Sequence, residues 1–247
     1  MTPTKRTPIK RTLLADRVAE RLRREILSGQ YTPGDKLSPE LELAARFKVN
    51  RFTVREAMNK LVQMHLIARR PGRGTVVLDY AEHASVDVIE DLVLSAEGKM
   101  NPFVVGNFLE TARILSSELA ALAAERRSES DLRRLREIVV EMQREKRLSK
   151  ISSLDFDFHW ALAGAAGNIV PRLVLNSVRG LVRKYGPLLE TLYIAPDSIV
   201  EGYEHVVAAV ASRDAERARS LVRWIWSFRH QWFVDLLEQF GRNPSSA

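Results

Sequence analysis

Four neighbouring side chains have the chemistry to read the edges of a nucleic acid: Arg51, Phe52, Thr53 and Arg55. Arginine forks donate in pairs to guanine, and a threonine hydroxyl can serve a phosphate or a base. To do so they must stand on the open side of a helix start. Asn50–Gln63 supplies one: Asn50 is placed to cap by accepting from the backbone amide of Thr53, and Val54, Ala57, Met58, Leu61 and Val62 recur at helical spacing. One face is thereby buried, and the first turn is left to solvent.

A second pair lies far along the chain. Asp155 and His159 are four residues apart, so one helix face presents a carboxylate and an imidazole together. That pair is able to ligate a divalent metal, or to sit in a polar pocket with the histidine hydrogen-bonded.

Around the first set, the flanking elements are those of a DNA reader. Leu14, Val18, Leu22 and Ile26 repeat every four residues, predicting an amphipathic helix over Leu13–Ser28 that ends at Gly29, with Arg17, Arg21 and Arg24 on another face. Ser38 as N-cap and Pro39 as first helical residue predict a second helix with Leu41, Ala44, Ala45 and Phe47 inward. Two residues later Asn50 opens the third. After Leu66 the period changes: Ile67–Arg69 and Thr75–Leu78 read as strands around Arg70-Pro71-Gly72-Arg73-Gly74. Such a basic hairpin can lay Arg73 and the backbone near Gly74 along the minor groove or its phosphates.

Charge supports the same division. Residues 1–79 carry 17 basic and 8 acidic side chains, and the remainder 21 and 23, so the net +7 arises from the first third alone. A positive module joined to a near-neutral one fits a polyanion bound by the first part. Cysteine is absent, no apolar run is long enough for a membrane-spanning helix, and the start MTPTKRTPIKRT lacks the apolar segment of a secretory signal. The expectation is a cytoplasmic protein without membrane contact, beginning with a flexible basic tail over residues 1–12.

Residues 13–78, above all LSPELELAARFKVNRFTVREAMNKLVQMHLIARRPGRGTVV, resemble the winged helix-turn-helix of the GntR family of bacterial transcription regulators. The resemblance implies DNA contacts from Arg51, Thr53 and Arg55 in the recognition helix and from Arg73 and Gly74 in the wing. Four positions depart from the family pattern. Leu41 stands where an arginine is usual, Ser38-Pro39 reverses the usual order, Lys48 replaces a glycine, and Phe52 replaces a small hydroxyl residue. Leu41 removes one DNA contact, while Phe52 can pack on a thymine methyl, which implies a different operator.

The expected winged domain is 13–79 and the expected linker 80–100, with a short helix through Val86, Ile89 and Val93. From 101 to 243 the pattern predicts an all-α bundle of helices over Pro102–Arg126, Ser130–Arg147, Ser153–Ala166, Val170–Ile194, Ser198–Ser212 and Ala215–Phe240. The segments NFLETARILSSELAALAAERRSESDL, LDFDFHWALAGAAGN and SIVEGYEHVVAAVASRDAERARSLV resemble the ligand-sensing domain of the FadR branch of the same family. That implies a mainly α protein acting as a homodimer, its bundle binding a small-molecule effector that alters operator binding.

In many members of that branch, an Asp and a His matching Asp155 and His159 join two further histidines around a metal. Here the second position is Tyr203 and the third Ile225, while His205 and His230 are out of phase. Two ligands of four favour a polar pocket over a metal centre. The resemblance also places Arg113 in the pocket, to neutralise a carboxylate or phosphate, with Glu110 or Asp155 as its internal partner otherwise. Arg113, Asp155, His159 and Tyr203 are thus the candidate effector residues. Trp160, Trp224, Trp226 and Trp232 offer apolar area for a ligand, or core and dimer interface.

The leading reading is a regulator, a repressor by expectation, of a short palindromic operator, with a small carboxylate as effector. A likeness to the acyl-CoA-sensing member around LDFDFHWALAGAAGN, LVLNSVRGLVRKYG and Tyr203 makes an acyl-CoA-responsive regulator the alternative. An enzyme is not expected, since no Gly-rich phosphate loop, Gly-x-Ser-x-Gly or Glu-x-x-His pair is present. A metal-dependent helical-bundle enzyme acting through Asp155 and His159 is the remaining alternative.

Overall fold

The computed structural model describes residues 9–93, 100–189 and 196–242. Residues 1–8 of the expected tail, 94–99 of the expected linker, 190–194 of the fourth expected bundle helix and residue 243 lie outside them. The chain divides into two compact units, Met1–Asn101 and Pro102–Ala247.

In the first unit the elements run α1 (Ile9–Leu27), α2 (Glu40–Phe47), α3 (Arg51–Gln63), β1 (Ile67–Arg70), β2 (Gly74–Val77), α4 (Tyr80–His83), a 3-10 turn (Val86–Val88) and α5 (Ile89–Val93). Val18, Leu22, Ile26, Leu43, Val54, Ala57, Leu61, Leu66, Ile67 and Val77 form its core. Each fully buried leucine there contributes about 2 kcal/mol by leaving water. A carboxylate is sealed in with them: Glu25 of α1 accepts from Arg21 at 3.0 Å and from Arg46 of α2 at 2.5 Å, joining the two helices by charge.

Two rotations differ from expectation. Leu14 is exposed and Ala15 buried in α1; in α2, Leu41 and Ala45 face outward while Leu43 and Ala44 face in. An eight-residue helix with apolar groups at 41, 43, 44, 45 and 47 satisfies helical period in more than one orientation. The one adopted puts Leu43 and Ala44 in the core with Leu37, which precedes the helix. Nor does Ser38 cap α2: Pro39 holds the cap position in extended backbone, with no side-chain bond.

The link from α2 to α3 is short because Lys48 takes the left-handed conformation, φ 53°, and returns its amide to the last carbonyls of α2. That conformation favours glycine, the residue usual in the related family. Asn50 then caps α3 as expected, accepting from the Thr53 amide at 2.8 Å. Beyond α3, β1 and β2 pair antiparallel in the register Ile67↔Val77 to Arg70↔Gly74. Gly72 and Gly74 at the tip have φ 71° and 82°, which the tight reversal requires. The segment before α2 adds to the outer edge of this hairpin, Leu37 donating to Thr75 and Val77 to Asp35.

The second unit is a bundle of α6 (Pro102–Arg126), α7 (Glu129–Arg144), α8 (Leu148–Ala165), α9 (Ile169–Leu189), α10 (Pro196–Ala211) and α11 (Ala215–Arg242). Helix α6 packs along α11, α8 lies against α6, α7 and α9, and α10 against α7 and α11. Ser128 and Asp131 form a reciprocal capping box on α7. Arginines close the other ends. Arg126 donates to the Ala166 carbonyl at 3.1 Å, Arg127 to Ala211 at 2.8 Å, and Arg213 to Glu125 at 2.7 Å. These bonds satisfy carbonyls the helices leave open and place positive charge where the helix dipole is negative.

Candidate functional sites: an open helix start and a buried polar cluster

The Asn50 cap decides what the start of α3 can offer. Arg51, Phe52 and Arg55 are exposed, Phe52 to 61%. Thr53 is the correction: it is 4% exposed, and its hydroxyl donates to Asn50 Oδ1 at 2.9 Å. The correction concerns its exposure: the hydroxyl hydrogen is committed to the cap. Arg55 reaches back to Glu40 at the start of α2, with Nη2 and Nε 3.0 and 3.2 Å from the carboxylate. Leu41 and Arg73 are exposed as well, and Arg69 donates to Asn59 at 2.7 Å, tying the wing to α3.

The bundle encloses the second site. Helix α8 brings Asp155 and His159 inward, 5% exposed each, with their side chains in Nε2-to-Oδ1 proximity at 4.0 Å. Tyr203, wholly buried on α10, donates its hydroxyl to Asp155 Oδ1 and lies 3.0 Å from His159 Nε2. The fourth member went unnoticed in the sequence. Arg229 of α11, 2% exposed, donates to Asp155 at 2.6 and 3.3 Å and to the Tyr203 oxygen at 3.2 Å. Its signal was its place in the buried stripe Ala218, Val222, Ile225, Trp226, Phe233, where a guanidinium has to find an anion.

Burial acts to push the Asp155 carboxyl up, but the charge of Arg229, with His159 and the Tyr203 hydroxyl, holds it below the ordinary carboxylate value. For His159 burial prevails. It pushes the imidazole down to about 4, Arg229 adding to the shift and Asp155 opposing it, so the ring is neutral at pH 7. His159 Nδ1 and Trp226 Nε1 are buried with no hydrogen-bond partner among the described residues, and their rings are 5.2 Å apart.

The other candidates fall around this cluster. Arg113 is half-buried on the face of α6 that carries Leu109, Ser116 and Ser117, and none of its hydrogen bonds or ion pairs among the described residues joins it to Asp155 or Glu110. Asp155 is neutralised by Arg229 instead. Trp160 is half-buried under the Arg172 guanidinium, 3.6 Å from its ring centre, and Trp224 is exposed and stacked with Phe228. Among the described residues, no helix is long and apolar enough to cross a membrane.

Each of the two units has counterparts among known proteins. Residues 14–77 match the bacterial regulatory proteins of the gntR family, and residues 107–226 the FCD domain. The chain is 31% identical over 201 residues to the HTH-type transcriptional regulator LutR of Bacillus subtilis, spanning 79% of this chain and 90% of that protein. It is 24% identical over 198 residues to the fatty acid metabolism regulator protein of Proteus mirabilis, spanning 80% and 81%. The solved structure of Lar, which controls expression of the Listeria monocytogenes agr system, superimposes with TM-score 0.59 at 18% identity over 95% of this chain and all of that one, a likeness of fold. An exposed basic helix start in a winged unit, followed by a helical bundle with a polar interior, therefore has its relatives among one kind of protein: this chain belongs to the GntR family of bacterial regulatory proteins and is a ligand-responsive DNA-binding transcription regulator with an FCD domain.

Proposed function

We propose that the chain acts in the cytoplasm as a homodimeric repressor of a short palindromic operator, released by a small carboxylate metabolite. The observation carrying the DNA half is the open start of α3, where Arg51, Phe52 and Arg55 face solvent behind a side-chain cap. Arginine forks read guanine edges, Phe52 meets a thymine methyl, and Arg73 with the Gly74 backbone follows the minor groove. Thr53 acts by fixing the cap. We take the bundle as the effector and dimerisation domain.

Arg113 supports the carboxylate reading, because it is half-buried in the bundle without an acid among the described residues. Asp155, His159 and Tyr203 complete the polar lining. The dimer is supported by Ile169, Val170, Leu173 and Val174, which share one exposed face of α9 and would leave water against a second copy. The relationship to transcription regulators supports a non-enzymatic role.

Fluorescence anisotropy with duplexes from the region upstream of its own gene tests this directly. One palindrome should be bound by two chains and released by a carboxylate in the wild type but not in Arg113→Ala. Release by long-chain acyl-CoA and not by small acids would favour the second reading, which the likeness to the fatty acid regulator supports. Equal binding to every duplex at physiological salt would defeat both.

A further inference from the structure

We propose that Arg229 is the resident cation of the buried cluster, and that its guanidinium and the Tyr203 hydroxyl fill the place between Asp155 and His159 that a divalent metal would need. The inference is independent of which effector the bundle binds.

Asp155 and His159 approach each other through Oδ1 and Nε2, 4.0 Å apart. An ion shared by the two would stand about 2 Å from each and so would have to enter that gap. The gap is taken. The Tyr203 oxygen lies 3.0 Å from Nε2 and is bonded to Oδ1, and Arg229 Nη2 lies 2.6 Å from Oδ1 and 3.2 Å from the phenolic oxygen.

Proton accounting closes the site further. An ionised carboxylate has no hydrogen to give, so the hydrogen between Tyr203 and Asp155 belongs to the phenol. The phenolic oxygen, its hydrogen given to Asp155, then accepts from Arg229 and from His159. Nε2 therefore carries the ring hydrogen, and the nitrogen facing Asp155 has no lone pair for a metal. Nδ1, the basic nitrogen, faces elsewhere and lacks a partner among the described residues.

Charge argues the same way. Guanidinium cannot be deprotonated in a protein, so Arg229 is a permanent positive charge where water is excluded, and a dication beside it would be repelled. The substitutions form a set: tyrosine and isoleucine stand at the two positions where the family resemblance would put further histidines, and Ile225 lies one helical turn before Arg229 on the same buried stripe. Among the described residues no group of three or more His, Cys, Asp or Glu is arranged to hold a metal ion. A cation built into the chain replaces one drawn from solution, and the shape of the sensor becomes independent of metal supply.

The test is nitrogen-15 NMR of the assigned His159 ring in the full chain, after EDTA treatment and after addition of Zn²⁺. We expect the Nε2-protonated tautomer in both samples, with unchanged shifts. Displacement of its Nε2 resonance by Zn²⁺, or an Nδ1-protonated ring, overturns the proposal. A second arm combines Arg229→Leu with Tyr203→His, removing the cation and adding a ligand. This variant should bind Zn²⁺ about ten-fold tighter than the wild type or more; a folded variant with wild-type affinity counts against the proposal. If it does not fold, the NMR measurement decides alone.

Discussion

The Tyr203 hydroxyl stands between Asp155 and His159, giving its hydrogen to the first and taking one from the second at 3.0 Å. One atom therefore holds two buried polar groups at once. Tyr203→Phe keeps the ring and leaves both without that partner, which should lower stability by about 1–3 kcal/mol, read as a shift in the urea midpoint. An unchanged midpoint would mean that water replaces the hydroxyl at no cost.

Arg229 and Asp155 are a buried pair, so removing one takes charge-assisted bonds from the other. Arg229→Met should cost about 3–5 kcal/mol, and Asp155→Asn in the same chain should restore much of it. Additive single and double losses in a double-mutant cycle would show that the two charges do not depend on each other.

Acid should act first through His159. Its folded value, about 4, lies below the ordinary 6.5, so the unfolded chain takes up the proton first as pH falls. Stability is complete above pH 6.5 and declines as pH drops from there to about 4, by roughly 3 kcal/mol in all. Asp155, also held low, adds its loss only as pH falls through its own depressed value. Urea titrations of wild type and His159→Gln between pH 7.5 and 4.5 should give a steeper decline for the wild type, and parallel curves would refute the assignment.

Much of the fold was legible because it rests on local rules. The Asn50 cap, the hairpin around Gly72 and Gly74, and the six bundle helices follow from spacing and turn chemistry. The differences arose where local rules allow two answers. Thr53 lies one step from solvent-facing Phe52, and its burial is visible only in the bond to Asn50. Arg229 was missed because a family position one turn earlier drew attention to Ile225. Its partner is 74 residues away, a pairing that depends on how α8 and α11 meet.

Lys48 departs from the glycine usual in the family while keeping the conformation that glycine favours, φ 53°. Lys48→Gly should raise the stability of the winged unit by about 0.5–1 kcal/mol. Thermal unfolding checks it, and a lower melting temperature would show that the lysine stem contributes more by packing than the backbone loses.

On the proposed reading of the operator, Arg55→Ala should weaken binding by about 1–3 kcal/mol and relax discrimination at one base pair, whereas Arg73→Ala should weaken all duplexes alike and flatten the salt dependence. Anisotropy on a set of singly substituted operators separates the two. Uniform loss for Arg55→Ala would make it a phosphate contact.

In the free protein, Arg55 already grips the two oxygens of Glu40. A duplex must outbid that internal rival: a guanine presents two acceptors to the same fork, while a lone phosphate oxygen merely exchanges one anion for another. On the proposed reading, Glu40 thus acts as a handicap imposed before any encounter, thinning out casual landings on random sequence and reserving the arginine for the base that repays its release.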